Sequence, residues 1–187
     1  MNFNELFNYL KNKYPEPQVR GKNFELYAKW FLENDSVYKK IFKKVWLWDD
    51  WPGKWGPDDG IDLIAEDSKG KIWSIQSKNY AENNIIKKGI DSFIAQSSHK
   101  DIYGMYLLTT SDNISPNSDR QMHNSEKPIR VIGVTQLSRI EWPKEEDLNK
   151  KIKIVKATPE PHQKVAIKNV SVGFKKEDRG KLIMACG

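Results

Sequence analysis

Asp62, Gln76 and Lys78 fall in two segments that a tight turn would bring side by side. The first, Gly60-Ile61-Asp62-Leu63-Ile64-Ala65, is apolar apart from Asp62. The second runs Lys71-Ile72-Trp73-Ser74-Ile75-Gln76-Ser77-Lys78, and Asp67-Ser68-Lys69-Gly70 between them is good turn chemistry. Strand side chains alternate faces, so Gln76 and Lys78 share one. Hairpin pairing sets Asp62 opposite the Ile75–Gln76 region, to within one residue of register. A carboxylate and an amide oxygen suit a hard cation such as Mg²⁺. A lysine beside them can orient a water, deprotonate it when its amine is neutral, or as an ammonium neutralise charge developing on a phosphate. Together they are the minimum equipment for metal-dependent phosphodiester hydrolysis.

Each residue also has a plainer reading. Gln76 and Lys78 alone would be the solvent face of a strand whose Trp73 and Ile75 point inward. Asp62 decides against that, because a carboxylate inside an apolar run is costly unless paired or metal-bound. Asp58 and Asp59 read as turn residues, and become the candidate ligands if the register differs. Trp46, Trp48, Trp51 and Trp55 put four indoles in ten positions. They read as strand core plus a loop packed on the sheet, with Trp51 and Trp55 the better candidates for stacking on DNA. His99, His123 and His162 form no catalytic or metal-binding pattern.

The elements that must position these residues follow from periodicity. Phe3, Leu6, Phe7 and Leu10 predict a helix over 3–13, stopped by Pro15 and Pro17. Phe24, Tyr27, Ala28, Phe31 and Leu32 predict a stronger helix over 19–33. Strands are expected over 41–48, in the two segments above, over 103–110 and over 129–134. A helix is expected over 85–98, a loop or short helix over 115–124, and the start of a terminal helix over 135–140. This order implies an α/β domain. Its mixed central sheet is an antiparallel meander passing into a βαβ unit, with helices on both faces. Past Glu141, Trp142-Pro143 and the charged run to Lys156 read as a linker or a loosely held helix.

The Gly-Ile-Asp strand, the Gln-x-Lys triplet at hairpin spacing and the upstream Gly21-Lys22-Asn23-Phe24-Glu25 resemble the Mrr-like branch of the PD-(D/E)xK nuclease superfamily. The likeness covers roughly Gly21 to Val134. It implies a restriction-endonuclease-like core and a metal-dependent DNA endonuclease leaving 5′-phosphate and 3′-hydroxyl ends. Asp62 and the Gln76 side-chain oxygen would bind Mg²⁺, with the Ser77 backbone carbonyl a third ligand. Lys78 would position or activate the attacking water. Glu25 would be a supplementary metal ligand or orient Lys78; without the resemblance it reads as a solvated helix glutamate. The departure from the superfamily consensus is Gln76. An amide is a weaker ligand than a carboxylate, so metal affinity is low or a second carboxylate helps.

The tail has its own resemblance. Pro159-Glu160-Pro161-His162-Gln163, a helix to Phe174 and the strand-like Lys181–Gly187 are similar to the entrance of a superfamily 2 helicase motor. The alternative is an ordinary closing helix and strand of the same domain. The resemblance divides the chain into a nuclease domain over 1–150, a linker over 151–160 and the start of a RecA-like helicase or translocase domain over 161–187. Gln163 would read the adenine of ATP there. The Walker A lysine and threonine are absent, so this stretch alone is not expected to bind ATP. A nuclease joined to such a motor resembles the single-polypeptide, type ISP restriction–modification enzymes. That implies a nuclease with no sequence specificity of its own. Two rivals are a DNA-repair or type I restriction nuclease subunit, and a catalytically degenerate domain that only binds DNA and couples to the motor.

The bulk properties set limits. The chain has 187 residues, with 31 Lys and Arg against 25 Asp and Glu, a net charge of +6 and an isoelectric point near 9.2. A basic chain suits a polyanion such as double-stranded DNA. Charge of this size is equally compatible with plain solubility. The single cysteine, Cys186, makes no internal disulfide and no zinc cluster. With no signal peptide and no long apolar run, a cytoplasmic, monomeric fragment without membrane contact is expected. Cutting both DNA strands can then require two copies.

Overall fold

The computed structural model describes residues 1–57, 60–78, 87–112, 114–149, 161–173 and 175. The chain divides into two compact units, Met1–Lys150 and Lys151–Gly187.

The first unit opens with α1 (Phe3–Lys13), started by a reciprocal cap. The Asn2 side chain accepts from the Glu5 N–H and the Glu5 carboxylate accepts from the Asn2 N–H, both at 2.9 Å. Next comes α2 (Pro17–Asn34). Pro17 does not merely follow the first helix: it starts the second, where its missing N–H costs nothing. Phe24, Tyr27, Ala28 and Phe31 make the i, i+3, i+4, i+7 stripe that buries this helix. A single turn, α3 (Tyr38–Ile41), leads into the sheet.

The sheet has five strands, β1 (Phe42–Leu47), β2 (Leu63–Asp67), β3 (Ile72–Lys78), β4 (Ile102–Thr109) and β5 (Ile129–Ile132), in spatial order β1-β2-β3-β4-β5. The first three are antiparallel, and β3, β4 and β5 run parallel. The crossover between β3 and β4 contains α4 (Lys87–Ser97), and that between β4 and β5 contains α5 (Pro116–His123). This is the mixed α/β sheet that the order of elements implied.

Alternation along the strands sorts the apolar side chains onto the two sides of the sheet. Leu63, Ala65, Trp73, Ile75, Tyr106 and Leu108 pack with α1 and α2. Ile64, Met105 and Ile61 pack with Phe93 of α4 and with Trp48 and Trp51. Ser74 and Gln76 alternate onto this second side. Burial continues from Trp73 to Ser77, so β3 has no solvent face. The amphipathic reading of that strand fails because helices cover both sides of the sheet.

Two boundaries also differ from expectation. The helix expected from Thr135 is one turn, α6 (Val134–Leu137). The stretch after Glu141 is no linker at its start: Trp142 is 2% exposed. It stacks on Phe31 at 5.5 Å and lies 6.0–6.3 Å from Phe3, Tyr27 and Trp30. Each such ring pair adds about 0.5–1.5 kcal/mol beyond the area buried. Trp142 also exchanges backbone bonds with Met1, at 2.7 Å each way. Just beyond, Glu145 accepts from the hydroxyls of Tyr9 and Tyr14 and from Lys13. The second unit contains α7 (Pro161–Gly173), on which Gln163 is exposed. Asp58, Asp59, the 151–160 stretch and the expected strand over 181–187 lie outside the described residues. Among the described residues no helix is long and apolar enough to cross a membrane.

Candidate active site

Gly60 begins the site. Its φ of +112° is open to glycine at little cost, and it bends the chain into the sheet edge. Asp62 follows, one residue before the β2 ladder starts at Leu63, but its backbone is already held on both sides. Its N–H donates to the Ile75 carbonyl at 3.0 Å, and its carbonyl accepts from the Trp48 N–H at 2.9 Å. With Leu63 paired to Ile75, Asp62 falls across from Gln76, within the expected register.

Its carboxylate turns to Ser77. Oδ2 accepts from the Ser77 N–H at 2.6 Å and from the Ser77 hydroxyl at 3.1 Å. Hydrogen bonds to a charged oxygen are short and strong, and they fix the carboxylate. An extended residue points its N–H and C=O to the same neighbouring strand. The Ser77 carbonyl therefore faces the Asp62 edge, whereas the Lys78 carbonyl turns to β4 and accepts from the Thr110 N–H at 3.1 Å.

Gln76 is 1% exposed. Its Nε2 donates to the Gly60 carbonyl at 3.0 Å. Its Oε1 is buried and has no hydrogen-bond partner among the described residues. A buried amide oxygen left unpaired costs about 1–3 kcal/mol, so such an atom in a native fold needs an explanation.

Glu25 comes from α2 and is buried, not solvated: only 9% of it is exposed. It follows Phe24 into the space between helix and sheet edge, where Lys22 pairs with it at 3.3 Å. A cleft of about 720 Å³ collects Lys22, Glu25, Gly60, Asp62, Ser77 and Lys78 along its wall. A smaller cavity of about 210 Å³ also touches Lys22, Glu25 and Asp62. Helix α2 and the β2–β3 edge thus bring together Glu25, Asp62, Ser77 and Lys78, and Gln76 adjoins them through Gly60. Gln163 belongs to the other unit.

The oxygen donors fit a hard cation, and the unpaired Gln76 Oε1 supports that fit. Among the described residues no three His, Cys, Asp or Glu side chains stand together as a metal cluster. An ion here would need the amide and a backbone oxygen beside the two carboxylates. The Ser77 hydroxyl and the Gly60 carbonyl were not singled out from sequence. A glycine two residues before the acidic position was the available signal for the second, and the first had none.

The indoles are packing residues. Trp48 and Trp51 are buried with their rings 5.8 Å apart, and Trp55 closes on Trp48 at 4.8 Å. Trp55 also stacks on His99 at 3.8 Å. Burial removes Trp51 as a surface for DNA bases.

A family model of the Mrr-like catalytic type, described as restriction endonuclease, matches residues 33–152. The chain belongs to this family. As a restriction endonuclease domain it is a nuclease, a hydrolase of the restriction type. Among solved structures it is similar to the ATP-dependent Type ISP restriction-modification enzyme LlaBIII bound to DNA, at 29% identity and a TM-score of 0.70. That match covers 96% of this chain and 12% of the enzyme, so the chain spans about an eighth of its length. It also matches the MspJI restriction endonuclease in complex with a 27-mer oligonucleotide at 18% identity and a TM-score of 0.49, over 70% of this chain and 30% of that one. No curated protein matches it.

Proposed function

We propose that this restriction endonuclease domain hydrolyses DNA phosphodiester bonds with Mg²⁺, without sequence preference of its own, as the cutting module of an ATP-driven restriction–modification enzyme. The observation that carries the reading is the buried Gln76 Oε1, without a partner among the described residues, on the strand position across from an aspartate fixed by Ser77. Asp62, Gln76 Oε1, the Ser77 carbonyl and Glu25 would hold the ion. Bound there, Mg²⁺ would polarise the scissile phosphate and make a bound water more acidic. Ser77 keeps the Asp62 carboxylate in one orientation. Lys78, at the end of β3 on the cleft wall, holds the attacking water or takes its proton. Lys22, paired to Glu25, adds positive charge where a phosphate backbone would enter.

DNA as substrate is supported by the DNA-bound state of the similar Type ISP enzyme, and a motor by that enzyme's ATP dependence. On this reading residues 1–150 are the nuclease domain, 151–160 a linker and 161–187 the start of a motor in which Gln163 contacts adenine. The decisive experiment is plasmid nicking with and without Mg²⁺, by the wild-type chain and by Asp62→Ala. Nicking that requires both the ion and Asp62 is expected. DNA binding with no nicking under any divalent ion would instead make this a degenerate, DNA-coupling domain.

A further inference from the structure

Gln76 carries an amide where a carboxylate would bind a cation better, and the reason lies behind it. Its Nε2 donates to the Gly60 carbonyl at 3.0 Å while its Oε1 has no hydrogen-bond partner among the described residues. A carbonyl can only accept, so whatever faces Gly60 must donate. Gly60 is not free to turn away. Its φ is +112°, and a Cβ there would meet the Ser92 hydroxyl at 3.2 Å, the Phe93 nitrogen at 3.4 Å and Gln76 Nε2 at 3.5 Å. The glycine is wedged between α4 and β3. Two residues on, Asp62 is pinned by backbone bonds to Trp48 and Ile75.

We propose that the Gly60 carbonyl is a positioning group that demands an amide at position 76. The inference rests on Gln76 being a metal ligand. Position 76 must donate on one side and accept on the other. An amide does both without titrating. A carboxylate would set one oxygen against the Gly60 oxygen in a site shielded from water, and that repulsion is relieved only by protonation or by swinging out of place. The change that looks like a repair toward an all-carboxylate site therefore damages this one.

The test is Mn²⁺ calorimetry at neutral pH on the 187-residue chain, comparing wild type with Gln76→Glu and Asp62→Ala. Gln76→Glu should bind Mn²⁺ about ten- to a hundredfold more weakly, despite its added negative charge, as expected for a ligand that has lost its supporting partner. Its thermal midpoint should approach that of wild type in acid and fall behind as pH rises, because only the protonated carboxyl can donate to Gly60. Tighter Mn²⁺ binding by Gln76→Glu, with a midpoint gap that ignores pH, overturns the proposal. Where Asp62→Ala abolishes binding and Gln76→Glu tightens it, the amide requirement alone fails. Where Asp62→Ala binds normally, the metal reading fails and the proposal with it. If Gln76→Glu does not fold at neutral pH, the wild-type side-chain amide answers by NMR. One Gln76 amide proton should be protected from exchange, and both should shift when Mg²⁺ is added. An unprotected, unmoved pair counts against it.

Discussion

The β2–β3 hairpin carries an aspartate at each end, and the two are held in different ways. At the turn, Asp67 is satisfied from several directions. Its Oδ1 accepts from the N–H groups of Lys69 at 2.8 Å and Lys71 at 3.0 Å, and its Oδ2 from the Trp73 indole at 3.1 Å. Burial pushes its pKa upward, but the indole and backbone donors outweigh burial and hold the carboxyl below its ordinary value. At the open end, Asp62 is held through Oδ2 by Ser77 and lines a cleft, and across from it on β3 Gln76 keeps a buried amide oxygen with no partner among the described residues. The residue type is the same. A carboxylate ringed by the chain's own donors has its hydrogen bonds within the fold, whereas one braced from behind at the lip of a cleft faces space that the proposed ion would fill.

That contrast predicts which changes cost activity and which cost stability. The largest effect belongs to the open end. Asp62→Ala and Lys78→Ala should each lower Mg²⁺-dependent nicking by at least about a hundredfold while the thermal midpoint stays near wild type. Lys78→Ala should keep its DNA affinity, since backbone binding is spread over many cations. A parallel loss of binding in gel-shift titrations would make Lys78 an anchor, not a chemical group.

The turn end should behave the other way. Asp67→Ala strands the Trp73 indole and two turn amides, and should cost about 2 kcal/mol in urea unfolding with Mg²⁺ affinity unchanged. If it instead lost metal affinity at full stability, the division between the two ends would be wrong.

The same carboxyl predicts an acid limb. A group whose folded pKa is depressed contributes stability above its unfolded value and loses it as pH falls through the folded one. Wild type should weaken below about pH 4, where an unfolded aspartate begins to protonate, and Asp67→Ala should show a shallower decline. Glu145, lowered chiefly by its bond from Lys13 and also by that from Tyr9, should steepen the same limb. Equal slopes for wild type and Asp67→Ala between neutrality and acid would refute the assignment.

The smallest effect is expected at Ser77. Ser77→Ala removes the 3.1 Å hydroxyl bond to Asp62 but keeps the 2.6 Å backbone bond. Stability should change by less than about 1 kcal/mol and Mg²⁺ affinity only severalfold. A collapse of metal binding in calorimetry would show that the hydroxyl, not the amide, is what orients Asp62.

Much of this was legible before any fold was known. Period-3.6 stripes located α1 and α2, and period-2 runs with a Gly-bearing turn located the hairpin, because both patterns follow from local backbone geometry. The order of elements implied the mixed sheet, since a hairpin gives antiparallel pairs and a helical crossover gives parallel ones. Residue types, their hairpin spacing and the family resemblance nominated Asp62, Gln76 and Lys78 as candidates. What sequence could not carry was anything settled by who covers whom. Taken without Asp62, Gln76 would have been the solvent side of a strand, and its burial follows only from the helices that close both faces of the sheet. The burial of Glu25 was not in its helix pattern, because helix periodicity does not say where a sheet edge will meet the helix. Trp142 sat in a charged stretch that read as linker, yet it anchors the aromatic core through Phe3, Tyr27, Trp30 and Phe31, all more than a hundred residues upstream. The Gly60 carbonyl behind Gln76 belongs to this second class. A backbone oxygen has no letter of its own, and only tertiary packing decides which side chain it faces.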